Sequence, residues 1–202
     1  MNKERDLYVI RIAHTPADMG YLQDQIPISE GYDAAVTRHW IEVGRHVRNT
    51  FINGGIKVNK IYQDGLPDVS EEDVALVVAQ AQTANYEILR WLNSQGILIR
   101  GTENPTLLLK EEQNFTALLH PSQDEETWLE AKMAYAQVLG ERDDYIIQRI
   151  HQDLLPGETG ILFIGAMHDV SRHLSKVMCV LEPKELLAKF PARAYFEIGR
   201  SV

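Results

Sequence analysis

At 202 residues the chain is expected to form one α/β domain spanning 1–202, since cores seldom divide below roughly 250 residues. Hydrophobic residues make up 45%, enough to fill a core without staples, and a formal net charge of −9 argues against nucleic acid and anionic membranes as partners. No stretch approaches the ~20 apolar residues of a membrane span, and a lone cysteine, Cys179, excludes an intrachain disulfide, so a reducing cytoplasm is the expected setting.

In chain order, the opening residues mix acid and base. The apolar run behind them is broken by Arg11 and His14, which does not read as a secretory signal. Leu7 to Ala13 is rich in β-formers and stops at His14-Thr15-Pro16, the pattern of a mostly buried strand closed by a turn. From Ser29 the apolar residues Val36, Trp40, Val43, Val47 and Phe51 recur on one helical stripe, with Asn53-Gly54-Gly55 as the stop. His39 and His46 fall on the flank of that stripe, at the surface boundary. Ile56 to Tyr62 alternates as a strand wet on one side and ends at Gln63-Asp64-Gly65.

Ser70-Glu71-Glu72-Asp73 opens helical character that runs to Asn93, with a break near Thr83-Ala84-Asn85. Ile97-Leu98-Ile99 is a short strand leading to Gly101-Thr102-Glu103. Asn104-Pro105 supplies an N-cap and a first-turn proline for a helix over Leu107 to Leu119. Ser122-Gln123-Asp124-Glu125 is a capping box for a long helix to Leu155, with Gly140 as a point where it bends or divides. The strongest strand, Gly160 to Met167, is closed by His168-Asp169. Val177 to Leu181 is a fifth strand, its Cys179 a buried inert thiol, and Pro183 to Phe190 is a short helix.

Strand and helix alternate throughout. That order predicts a mainly parallel sheet of about five strands with helices on both faces, whose strand ends share one rim where such sheets bind ligands. His14, Asp64, Glu103 and His168 each follow a strand and converge there. Two imidazoles and two carboxylates can hold a divalent metal, with His14 and His168 as ligands, or work without metal as general acid and base. Polar residues after strands also simply form turns. Glu141-Arg142-Asp143-Asp144 has two readings: a solvated helix face, or an Arg142 turned inward as an anion clamp or partner of a rim carboxylate. Ser171 has no visible activating group. A serine hydrolase elbow, a phosphate-binding loop, a C-x-x-C pair and a dinucleotide fingerprint are all absent from the sequence.

Glu141-Arg142-Asp143 followed by Gly157-Glu158-Thr159-Gly160 and a strand ending Gly165-Ala166-Met167-His168 resembles the later half of the erythromycin esterase/ChaN/TraB-type fold. There an Arg-Asp helix precedes a strand ending in G-x-x-H. Arg11-Ile12-Ala13-His14 stands at the family's first G-x-x-H, with Arg11 in place of the glycine. The segments His14-Thr15-Pro16-Ala17-Asp18-Met19, Tyr62-Gln63-Asp64-Gly65-Leu66-Pro67 and Gly101-Thr102-Glu103-Asn104-Pro105 are similar to motifs of a group of uncharacterised prokaryotic proteins. The resemblance implies the α/β fold and, less specifically, ester or peptide hydrolysis, metal dependence or haem binding.

The expectation is therefore a small-molecule hydrolase, metal-assisted or not. His14 and His168 act as ligands or as an acid/base pair, Asp64 and Glu103 as ligand or water-activating base, and Arg142 as anion stabiliser. The alternative is a protein that binds a metal, haem or metabolite without turnover. A divalent ion ranks before haem as cofactor, a small molecule is the expected partner, and a homo-oligomer is compatible with the composition.

Overall fold

The computed structural model describes residues 4–14, 31–119 and 124–187, except for the Asp33 side chain. These form a five-stranded, all-parallel sheet flanked by helices, in the spatial order β3-β2-β4-β1-β5. The strands are β1 Asp6–Ile12, β2 Lys60–Pro67, β3 Leu98–Glu103, β4 Thr159–Gly165 and β5 Cys179–Leu181. The helices are α1 Tyr32–Val47, α2 Glu71–Gln80, α3 Ala84–Ser94, α4 Pro105–Leu118, α5 Glu125–Asp153, α6 Ser171–Leu174 and α7 Lys184–Leu187. A π-helical segment, Arg48–Asn53, continues α1. Among the described residues no helix is long and apolar enough to cross a membrane.

Alternation along each strand splits its side chains between two cores. Ile10 and Ile12 of β1, Ile61 of β2, and Ile161 and Phe163 of β4 pack with Val36, Val43 and Leu89 on one face. Leu7, Val9, Tyr62, Leu162 and Ile164 pack with Ile146, Ile150 and Leu174 on the other. The first face is covered by α1, α2 and α3, the second by α5 and α6. A fixed crossover hand explains this division. The connections from β1 to β2 and from β2 to β3 run toward one sheet edge, those from β3 to β4 and β4 to β5 toward the other, so they lie on opposite faces. The chain therefore leaves the adjacent strands β2 and β4 in opposite directions, a switch point at whose C-terminal ends open α/β sheets place their ligand sites.

The local signals hold where the chemistry is local. Ser70 Oγ accepts the Asp73 amide hydrogen at 3.2 Å, the expected break falls between α2 and α3, and Asn104 caps α4 through Thr106 N–H at 2.9 Å. Three details differ. The N-cap of α5 is Asp124, which accepts from Thr127 N–H at 2.8 Å; Ser122 lies outside the described residues. The helix α5 runs unbroken through Gly140. Lastly, β2 begins at Lys60 rather than Ile56 and is buried on both sides: Tyr62 packs under α5, and Ile61, on the face that alternation marked as wet, packs under α1, α2 and α3. Even Lys60 is buried, paired with Glu158 at 2.9 Å.

Candidate functional site

Asp64 stands inside β2 rather than in a turn after it. The register of β2 against β3 shifts between Gln63 and Pro67, and Gly65 takes a φ of 75°, a conformation that glycine adopts without steric cost. Such an irregularity re-aims the neighbouring side chain. Asp64 is thereby directed toward β4, where its Oδ2 accepts the Gly165 amide hydrogen at 2.8 Å.

Both histidines of the rim face this one carboxylate. His14 Nε2 lies 3.6 Å from Asp64 Oδ2, and His168 Nε2 lies 3.5 Å from Asp64 Oδ1. They are not equivalent: the His14 side chain is 24% exposed and that of His168 only 4%. On its other side His168 Nδ1 meets Asp143 Oδ1 at 2.5 Å, while Asp143 Oδ2 accepts the Asp169 amide hydrogen at 2.9 Å. Burial alone would favour a neutral His168. The Asp64 charge and the hydrogen bonds to Asp143 and Asp64 outweigh it and push its pKa up to about 10. His168 is thus an imidazolium at neutral pH. Burial likewise works against a charged Asp64, but His168, the hydrogen bonds from both histidines and the Arg142 guanidinium hold it well below the usual carboxylate range.

Arg142 resolves its two readings in favour of the inward one. It falls on the buried stripe Val138, Arg142, Ile146, Ile150 of α5, so the same spacing that carries the apolar residues to the sheet carries the guanidinium to the rim. Nη2 donates to Asp64 Oδ1 at 2.8 Å and to Glu103 Oε1 at 2.6 Å, Nε donates to Glu103 Oε2 at 3.1 Å, and Nη1 donates to Glu111 of α4. Planar, rigidly forked donors suit this bidentate grip on Glu103. Burial pushes the Glu103 carboxyl up to about 7 against the pull of Arg142.

All five expected residues, His14, Asp64, Glu103, Arg142 and His168, meet at the C-terminal ends of the strands. Asp143 and Glu111 complete the group and were not among them. Asp143 had a signal, as the neighbour of Arg142 in the Arg-Asp pair. Glu111 had none, being one acidic residue among several on an amphipathic helix. His39 is corrected: it is 3% exposed, and its Nε2 lies 2.9 Å from Arg11 O. Burial lowers its pKa and so favours the neutral ring. His173 is exposed, and His120 lies outside the described residues. Ser171 donates to Glu182, an acceptor rather than an activating imidazole. Cys179 is half-buried rather than buried, and burial together with Asp6 raises its thiol pKa, which keeps it protonated.

Donor atoms of Asp64, Glu103 and His168 lie within 4.8 Å of one another, close enough to chelate a cation. The residues as arranged do not fit one. Both Glu103 oxygens and Asp64 Oδ1 already receive hydrogens from Arg142, so a guanidinium takes up the carboxylate oxygens that a divalent ion would need. No protein-family model matches the chain, nor does any curated protein or solved structure.

Proposed function

We propose that the protein is a small-molecule hydrolase acting on ester or peptide bonds, with His14 as its general base and no metal in the reaction. The supporting observation is the asymmetry of the two imidazoles around Asp64: one partly exposed, the other buried and ion-paired on both sides. Asp64 is ionised and orients His14, then stabilises the imidazolium formed when His14 takes a proton from water. The resulting hydroxide attacks the substrate carbonyl carbon. His14 returns the proton to the leaving group as that bond breaks. His168 and Arg142 keep Asp64 ionised and fixed, a preorganised electrostatic frame rather than reacting groups. The likeness of the G-x-x-H and Arg-Asp segments to the erythromycin esterase/ChaN/TraB-type fold agrees with this reading.

The test is a panel of activated esters and short peptides, assayed with the wild-type chain and His14→Ala, each with and without a chelator. Turnover that survives the chelator and disappears in His14→Ala is the expected result. Turnover that requires an added divalent ion would overturn the metal-free part, and turnover unchanged in His14→Ala would overturn the role of His14.

A further inference from the structure

The β1 strand loses its pairing partner at Ile12, opposite Gly165. The carbonyls that follow are taken up by side chains of α1. The Trp40 indole N–H donates to Ala13 O at 3.0 Å, and the Tyr32 hydroxyl donates to His14 O at 2.7 Å. These acceptors belong to the two peptide planes that meet at the His14 Cα. Each plane is rigid, so holding both restricts φ and ψ at His14 and with them the direction of its Cα–Cβ bond.

The donors are themselves immobilised. Tyr32 is 6% and Trp40 3% exposed, and they lie eight residues apart on the same buried face of α1 as Val36, Val43 and Val47. Packing on that face requires only apolar bulk, which the three valines supply. The polar tips at both ends of the Tyr32–Trp40 span are what reach the two planes of one residue. We propose that Tyr32 and Trp40 are positioning residues that aim the His14 imidazole at Asp64, making α1 the part of the scaffold that sets the geometry of the reacting base. This rests on the reading of His14 as general base and extends it to residues that touch no substrate.

Tyr32→Phe removes one oxygen and keeps the ring; Trp40→Phe removes the other donor; Val36→Ala, on the same face, is the control for packing loss. The readouts are the ring resonances of His14 and His168 in nitrogen-15 spectra, and kcat and KM on whichever ester the panel identifies. Tyr32→Phe and Trp40→Phe are expected to displace the His14 signals while leaving those of His168 in place, and to lower kcat about tenfold with KM unchanged. Val36→Ala is expected to lower the melting temperature and leave the His14 signals unmoved. The proposal is overturned if Tyr32→Phe leaves those signals at their wild-type positions, or if Val36→Ala displaces them equally. Should Trp40→Phe fail to fold, Tyr32→Phe carries the test alone. Should the wild-type chain turn over no substrate, the hydrolase reading fails while the spectra still decide whether α1 positions His14.

Discussion

Asp143 holds His168 by two separate contacts: its Oδ1 meets the ring Nδ1 at 2.5 Å and its Oδ2 accepts the Asp169 amide hydrogen at 2.9 Å. One carboxylate on α5 thereby fixes both the orientation of the imidazole and the turn that carries it. With Asp64 on the opposite ring nitrogen, the histidine is bound as a cation.

That binding makes stability pH-dependent in a defined direction. The folded His168 pKa, about 10, lies above the ordinary 6.5, so the folded state holds a proton that the unfolded chain releases. The contribution is fully present below pH 6.5 and is lost as pH rises through about 10. Urea midpoints measured from pH 6 to 10.5 should fall over that window. In Asp143→Asn the fall should be shallower, with about 2 kcal/mol already lost at pH 7. Parallel profiles for the two chains would contradict the pairing.

The two rim histidines should respond differently to truncation. His14→Ala is expected to reduce turnover by ~10²-fold or more while the melting temperature stays within a few degrees. His168→Ala leaves Asp64 and Asp143 without their shared imidazolium, and should cost roughly 3 kcal/mol or more in chemical denaturation. Equal loss of stability in both variants would show that His14 is structural as well.

Arg142→Met removes the positive group shared by Asp64, Glu103 and Glu111. Three carboxylates then face one another with His168 as the cation beside them, and a deficit of ~3–5 kcal/mol is expected at pH 8. Acid should relieve part of it, because the carboxyls regain protons, Glu103 first with its pKa already near 7. Denaturation at pH 5 and pH 8 measures this; a deficit equal at both values would mean that lost packing, not charge, is responsible.

Gly165→Ala probes the close approach of β4 to the site. A Cβ at Gly165 would lie 2.8 Å from Asp64 Oδ2, 3.5 Å from His14 Nε2 and 3.7 Å from His168 Cδ2. The added methyl must displace Asp64, which breaks its bond to the Gly165 amide and the common orientation of both rings. Turnover should fall ~10²-fold. Wild-type turnover in this variant would show that the carboxylate has no exacting role.

Much of the frame was legible because its causes are local. The alternation of Val9, Ile10 and Ile12, the caps at Ser70 and Asn104, and the break before Ala84 depend on neighbours within a few residues. The starting point of β2 was not legible, since the apolar residues Ile56 and Val58 continue its pattern outside the strand. The inward turn of Arg142 was half-visible. Its four-residue spacing from Val138 and Ile146 marks the buried face, but its neighbours in the charge run suggest solvent.

By itself the sequence determined the kind of sheet and which edge would carry polar groups, because apolar periodicity and turn chemistry act over short stretches of chain. Only the tertiary structure decided that Asp64 lies between two histidines and shares Arg142 with Glu103. Arg142 lies 78 residues from Asp64 along the chain, and Gly165, whose amide the same carboxylate accepts, lies 101. Their meeting depends on strand order and on the irregularity at Gly65, and Coulomb pairing between distant residues leaves no periodic trace in the chain.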